Sequence, residues 1–182
     1  MTNDIKSILI TEEQIDEITA KLAAEITEDY KNSEKLVLVC ILKGSIMFTT
    51  ELMKKIPLRN LEVEFMKVSS YGSGTVSTGV LNIHLDMKRE DLSDADFLIV
   101  EDIIDSGNTL SRLVKYLKER GANSVKTCTM LDKPDRRVVE LTPDYCGAVI
   151  PDEFVVGFGL DFDEKYRNLP YVGILDPKVY SN

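Results

Sequence analysis

Residues 100–110 read VEDIIDSGNTL and decide the fold of this chain of 182 residues. The apolar residues 97–100 lead into this stretch and have the character of a buried strand. The chain then turns through small polar residues, 105–109, into residues 110–120, whose apolar spacing predicts a helix that stops at Gly121. A strand, a polar loop and a helix in this order form the repeating unit of parallel α/β sheets.

The same unit recurs along the chain. Apolar and alternating patterns predict further strands and helices, and Thr11 and Gln14 have the spacing of a capping box at the start of the first helix. The fold class is therefore α/β, a mostly parallel twisted sheet flanked by helices, in one domain over residues 1–182. The predicted strands lie at residues 36–42, 61–68, 80–85, 125–131 and 145–150, the predicted helices at 11–30 and 45–55, and a flexible flap rich in Ser, Gly and Thr at 69–79.

The loop after residue 100 has the groups that a phosphorylated sugar requires. Small residues that open a helix let backbone N–H groups converge on a phosphate, and the hydroxyls of Ser106 and Thr109 add donors. Glu101 and Asp102 follow a strand, where two carboxylates can accept hydrogen bonds from a vicinal diol or lie near hydrated Mg²⁺. Either piece alone is also typical of an ordinary helix start or a solvated strand end, so the prediction depends on the whole string.

Composition and missing motifs exclude several function classes. A formal net charge of -9 disfavours non-specific binding to nucleic acid or to anionic membranes. The charged N-terminal residues differ from a signal peptide, which predicts a cytoplasmic protein. The sequence contains no GxxxxGK[ST] or GxSxG motif, and the single histidine, His84, argues against His-rich metal sites and a Ser/His/Asp triad.

The residue string VEDIIDSGNTL resembles the phosphoribosyl pyrophosphate signature of the type I phosphoribosyltransferases, and further segments resemble the purine branch of that family. These segments occur in family order from about residue 36 to the C-terminus. They are LKGS at 42–45, SSYG at 69–72, DKP at 132–134, FVVG at 154–157, LDF at 160–162 and YR at 166–167.

The resemblance implies an activity and an architecture. The activity is the Mg²⁺-dependent transfer of the 5-phosphoribosyl group from phosphoribosyl pyrophosphate to hypoxanthine or guanine, which gives IMP or GMP and pyrophosphate in purine salvage. The implied architecture is a core at about 36–150 and a small hood from the N-terminal segment and about 151–182, in a homodimer or homotetramer. It also implies a cis peptide bond between Leu42 and Lys43.

The resemblance assigns site residues as well. Asp105 is the implied catalytic residue, which exchanges a proton with purine N7, while Glu101 and Asp102 hold the ribose hydroxyls and, with Asp161, the Mg²⁺. The other implied substrate contacts are Ser106, Gly107, Asn108 and Thr109 for the 5-phosphate, Lys43, Gly44 and Arg167 for pyrophosphate, Ser70 and Tyr71 in the flap, and Lys133, Phe154 and Val155 for the purine.

The purine contacts have a physical basis. Phe154 offers an aromatic face for stacking, Lys133 a donor for the 6-oxo group, and the Val155 carbonyl an acceptor. Adenine would place its amine against the Lys133 ammonium, so we expect adenine to be rejected. A xanthine-preferring enzyme and a non-catalytic nucleotide-binding regulator of the same family remain open, and Asn108 stands where some relatives have lysine.

Overall fold

The structure, a computed structural model, describes residues 3–70 and 81–181. Most of the predicted flap, including Tyr71, lies outside the described residues, as does the side chain of Ser70. Two short 3-10 turns, Pro134–Arg136 and Pro177–Val179, accompany the regular elements. The regular elements are β1 (Ile5–Ile10), α1 (Glu12–Tyr30), β2 (Leu36–Ile41), α2 (Ile46–Lys55), β3 (Leu61–Ser70), β4 (Leu81–Leu85), β5 (Asp96–Ile104), α3 (Asn108–Glu119), β6 (Ser124–Asp132), β7 (Tyr145–Val149), β8 (Val155–Val156) and β9 (Val172–Leu175).

The main sheet has six strands in the order β4-β3-β2-β5-β6-β7. All neighbours pair in parallel except β3 and β4, which are antiparallel, so the predicted α/β class is confirmed. The predicted capping box of α1 is also present, because Thr11 Oγ1 accepts from Gln14 N at 3.3 Å and Gln14 Oε1 accepts from Thr11 N at 2.9 Å. No helix in the described ranges is long and apolar enough to cross a bilayer.

The core explains why the central strands are continuous apolar runs. Leu36 and Leu38 of β2 pack on one face of the sheet, in the cluster that includes residues of α1 and α2. Val37 and Val39 pack on the other face, with residues of α3. A strand that is buried on both faces has no polar positions to alternate with, which is the pattern seen in the sequence.

The predicted C-terminal ends of two strands were wrong, because pairing with a neighbouring strand makes both strands longer than predicted. β5 continues past Val100 to Ile104, since its ladder with β6 extends to the pair Ile104 and Asp132. β3 includes Ser69 and Ser70, which pair with Asn82 and Leu81 of β4, so these two residues are strand and not flap. Register with a partner strand is a tertiary property that local composition does not reveal.

A second, antiparallel sheet of three strands in the order β1-β9-β8 was not predicted. Its strands come from the two ends of the described chain, with Ile5 opposite Leu175 and Val155 opposite Ile174. In this sheet β9 lies between the N-terminal strand β1 and the strand β8, which contains Val155. The domain bounds of core and hood given above stay a prediction.

Candidate active site

The predicted site residues meet at the carboxyl edge of three neighbouring strands. The turn with Lys43 and Gly44 follows β2, Glu101 and Asp102 lie in the last part of β5, and Lys133 follows β6. Since β2, β5 and β6 are adjacent and parallel, their carboxyl ends share one edge of the sheet. This is the expected position for a ligand site in an open α/β sheet.

The acidic pair is desolvated. Glu101 Oε2 is buried without a hydrogen-bond partner, and Asp102 Oδ1 accepts from Ile103 N at 2.7 Å. Burial, and after it the charge of Asp102, holds the pKa of Glu101 well above its usual range, and burial raises the pKa of Asp102 to about 6. Two carboxylates in this state would gain from a hydroxyl donor or a cation placed against them.

The turn after β2 packs directly against this pair. The Leu42–Lys43 peptide bond is cis, as predicted. A Cβ atom added to Gly44 would lie 1.5 Å from Asp102 Oδ2, and one added to Gly159, whose φ is +99°, would lie 1.9 Å from the Gly44 carbonyl oxygen. Glycine is required at position 159, where the φ is positive and the backbone of Gly44 is in contact, while at Gly44 a larger residue would displace the Asp102 carboxylate.

Two cations and two carboxylates form an ion-pair cluster above Gly44. Lys43 Nζ lies 2.9 Å from Glu164 Oε2, and Arg167 Nη2 lies 2.9 Å from Asp161 Oδ1 and 3.4 Å from the same Glu164 oxygen. Arg167 also donates to the Gly159 carbonyl at 2.8 Å. Lys43, Asp161 and Arg167 are thus brought together as predicted. Glu164 was missed, and the hydrogen bond from Lys43 is the main cause that lowers its pKa.

The loop after β5 turns into α3 through Gly107, whose φ is +79°. Glu101, Ser106, Gly107 and Thr109 line a cavity of about 100 Å³ at the start of the helix. Ser106 Oγ accepts from Asn108 N at 3.4 Å. α3 begins at Asn108, two residues earlier than predicted, so Asn108 and Thr109 lie in its first turn. The positive end of a helix dipole favours an anion at such a position.

A larger cleft of about 510 Å³ adjoins the acidic pair. Phe154 exposes 39% of its surface, and its ring stacks on Tyr180 with 5.1 Å between centroids. Lys133 is only 7% exposed, and its ammonium donates to the Glu153 carbonyl at 2.6 Å. An aromatic face and a buried donor therefore line one cleft, together with Asp102, Asp105, Val155 and Asp161.

Asp105 is exposed at the mouth of this cleft between two cations. Its Oδ1 lies 3.9 Å from Lys133 Nζ and 3.6 Å from Arg136 Nε. Arg136 also pairs with Asp152 at 3.3 Å. Arg136, Asp152 and Tyr180 line the cleft and were missed. The basic residues after the DKP segment were the available signal for Arg136, whereas nothing in the sequence places Tyr180 beside Phe154.

The described residues contain no group of three or more His, Cys, Asp or Glu side chains arranged to hold a metal ion. Asp161, one of the three predicted metal ligands, is paired with Arg167 at 2.9 Å. Beside phosphates, Mg²⁺ is usually bound by one or two carboxylates together with phosphate oxygens of the substrate.

Comparisons with known proteins give one consistent result. The family model of the phosphoribosyl transferase domain matches residues 6–163. A hypoxanthine-guanine phosphoribosyltransferase of Streptococcus pneumoniae is 52% identical over 182 residues, which cover 100% of this chain and 99% of that protein. One from Staphylococcus aureus is 49% identical over 182 residues, with 100% of both chains covered. The crystal structure of a hypoxanthine phosphoribosyltransferase from Staphylococcus aureus superposes with a TM-score of 0.94 at 49% identity and covers 100% of this chain and 97% of that one.

Proposed function

The chain belongs to the phosphoribosyl transferase domain family, and we therefore propose that it is a purine-salvage enzyme. It transfers the 5-phosphoribosyl group from phosphoribosyl pyrophosphate to hypoxanthine or guanine and forms IMP or GMP and pyrophosphate. The observation that carries this proposal is the cleft of about 510 Å³, in which the Phe154 ring and the buried Lys133 ammonium adjoin Asp102 at the strand edge.

The purine binds in that cleft. Its flat ring stacks on Phe154, and its 6-oxo group accepts from Lys133 Nζ, which at present donates to the Glu153 carbonyl. The Val155 carbonyl accepts from the ring or from the exocyclic amine of guanine. Adenine would set its amine against a buried ammonium, and an unmatched buried donor costs about 1 to 3 kcal/mol, so adenine is a poor substrate.

The ribose and a cation suit the acidic pair. Glu101 Oε2 has no partner and both carboxyl pKa values are raised, so hydroxyl donors or positive charge would relieve the cost of desolvation. Glu101 and Asp102 hold the ribose hydroxyls, and with Asp161 they would hold Mg²⁺ bound to the substrate. Mg²⁺ there would neutralise charge on the departing pyrophosphate.

Pyrophosphate binds where the ion-pair cluster lies. Lys43 and Arg167 are its counter-charges, with the backbone of Gly44 beside them. Both cations now share one oxygen of Glu164, so pyrophosphate takes over contacts that this carboxylate makes in the ligand-free protein. Counter-charges that are fixed before reaction stabilise a developing negative charge without a further cost of reorganisation.

Asp105 acts on the purine N7, and the loop after it binds the 5-phosphate. Asp105 exchanges a proton with purine N7 so that N9 is nucleophilic, a step typically worth about 10² to 10⁴ in rate. The N–H groups of residues 106–109, with the hydroxyls of Ser106 and Thr109, bind the 5-phosphate at the start of α3.

The test is nucleotide formation. The protein is incubated with phosphoribosyl pyrophosphate and hypoxanthine, in Mg²⁺ or in EDTA, and IMP and pyrophosphate are quantified by chromatography. IMP in Mg²⁺ and none in EDTA is expected. A folded protein that binds GMP and forms no IMP would instead be a nucleotide-binding regulator.

Paired lysine variants locate the purine site. Lys133→Met should raise the KM for hypoxanthine about 10-fold to 100-fold, since a hydrogen bond from a charged group is worth about 1.5 to 3 kcal/mol. The control is Lys115→Met on α3. The Lys115 ammonium is exposed and lies 3.6 Å from Glu119 Oε1, so this variant should leave that KM unchanged. If the KM for hypoxanthine were the same in both variants, Lys133 would not be part of the purine site.

A further inference from the structure

The segment that follows β6 runs back across the loop that follows β5. Three consecutive carbonyl groups, that of the last β5 residue and those of the first two loop residues, accept hydrogen bonds from this one segment. Lys133 N donates to the Ile104 carbonyl at 3.0 Å, Arg137 Nε to the Asp105 carbonyl at 3.2 Å, and Val138 N to the Ser106 carbonyl at 3.1 Å. The segment thus holds one side of the loop along its length.

Arg137 is the only side chain among these three donors, and it is almost fully enclosed. Its guanidinium also donates to the Leu141 carbonyl at 2.7 Å and to the carboxylate of Asp132, the last residue of β6. The side chains of Arg137 and Asp132 are each 12% exposed. Its stem packs against Gly107, where an added Cβ atom would lie 2.8 Å from Arg137 Cδ.

These contacts determine which way the loop's N–H groups point. In a planar trans peptide the C=O and the following N–H point in opposite directions. Because the Asp105 and Ser106 carbonyls point at Arg137 and Val138, the N–H groups of Ser106 and Gly107 point away from that segment. That is the arrangement that an anion-binding loop at a helix start requires.

We propose that Arg137, held by Asp132, is a positioning residue for the 5-phosphate. It fixes the peptide planes of residues 105–107 so that their N–H groups are presented to the phosphate before substrate arrives. This rests on the proposed function, in which residues 106–109 bind that phosphate. Since Asp132 immediately precedes Lys133, the same guanidinium also ties the loop to the purine cleft.

Arg137 acts through the loop and not as a ligand. Each of its three guanidinium nitrogens donates to a protein oxygen, and the side chain has little exposed surface. Its neighbour Arg136 differs, because 51% of its side chain is exposed and it lies in the purine cleft. A buried guanidinium with rigid, forked donors holds several acceptors in one geometry, which lysine cannot reproduce.

The experiment compares GMP with guanosine, which lacks only the 5-phosphate. Calorimetry gives the Kd of each ligand for the full-length protein, and the ratio of guanosine Kd to GMP Kd reports what the phosphate adds to binding. Arg137→Met should lower this ratio at least tenfold, Arg137→Lys about as much, and Asp132→Asn less, because Asn keeps an acceptor for the guanidinium. The more conservative Arg137→Lys and Asp132→Asn keep the test available if Arg137→Met does not fold.

Arg120 provides the matched control. It is also a partly buried arginine that donates to a carboxylate, Asp86, and to a carbonyl, that of Arg89, at a distance from the site. Arg120→Met should lower the melting temperature and leave the ligand ratio within twofold of wild type. Folded Arg137 variants that keep the wild-type ratio would overturn the role of Arg137 and leave the proposed phosphate site standing. A wild-type protein that binds guanosine as tightly as GMP would overturn the proposed phosphate site itself.

Discussion

Replacing Gly44 by alanine tests the close contact between the turn after β2 and the acidic pair. The new Cβ atom would lie 1.5 Å from Asp102 Oδ2 and 2.6 Å from its Cγ. Ordinary non-bonded contacts begin at about 3.5 Å, so the carboxylate must withdraw by about 2 Å. That movement breaks the 2.7 Å hydrogen bond from Ile103 N to Asp102 Oδ1.

The expected cost has two parts. Loss of a hydrogen bond to a charged group and the strain of repacking should lower the free energy of unfolding by about 2 to 3 kcal/mol. Misplacing a group that holds the ribose by 1 Å or more should lower kcat by about 100-fold. Steady-state IMP formation and urea denaturation measure the two parts separately.

Gly121→Ala is the control. Unlike Gly44, Gly121 has a positive φ, +89°, and nothing lies within 4 Å of an added Cβ atom. It should lose about 1 to 2 kcal/mol of stability from the left-handed conformation alone and keep full activity. Gly44→Ala in an Asp102→Ala background completes the test. The atoms that the new Cβ would overlap are then absent, and the nearest remaining atom is the Cβ of residue 102 at 3.5 Å. Gly44→Ala should then be nearly neutral for stability, and an equal cost in both backgrounds, or full activity of Gly44→Ala alone, would refute the contact.

Three other predictions concern charged groups. Asp105→Asn should lower kcat by about 10² to 10⁴ and leave GMP affinity within a few-fold, and an unchanged kcat would exclude proton exchange by this group. Burial raises the folded-state pKa of Glu101, so the ligand-free protein in EDTA loses stability as pH rises from about 4 through that raised pKa. Glu101→Gln should therefore have a higher melting temperature than wild type at pH 8 and the same melting temperature at pH 4. A difference in melting temperature that does not change with pH would contradict this. Glu164→Gln should lower the Kd of pyrophosphate roughly twofold to fivefold, because it removes a carboxylate that pairs with Lys43 and Arg167. The control Asp163→Asn removes the same charge from a carboxylate that pairs with Lys165, and it should leave this Kd unchanged.

The main sheet was predictable because its strands carry local signals. β2 is an apolar run of strand length, and β6 is a segment of strand length that carries apolar residues among polar ones. The residues at their carboxyl ends had to share one edge once the sheet was parallel. The parallel sheet predicted only that the loops at this edge carry the chemistry, and the resemblance placed Lys133 with Glu101 and Asp102. The small sheet was not predictable in the same way, since β8 has only two residues and β9 also pairs with β1, near the start of the chain.

The side-chain contacts within the site could not be predicted from the sequence either. Glu164 follows a recognisable LDF segment, yet its contact with Lys43 spans 121 positions of the chain. Arg137 was not singled out in the sequence, and only the fold shows its guanidinium against the loop of residues 105–107. Such contacts depend on the relative placement of two loops, for which a single sequence contains no periodic signal.

The most direct test of the central claim is a competition among four bases. The purified protein is incubated with phosphoribosyl pyrophosphate, Mg²⁺ and equal amounts of hypoxanthine, guanine, xanthine and adenine, and the nucleotides formed are separated by chromatography. The proposed purine site predicts IMP and GMP as the products and no AMP, because Lys133 offers a donor where adenine also has one. AMP in amounts comparable to IMP, or XMP as the main product, would contradict the account.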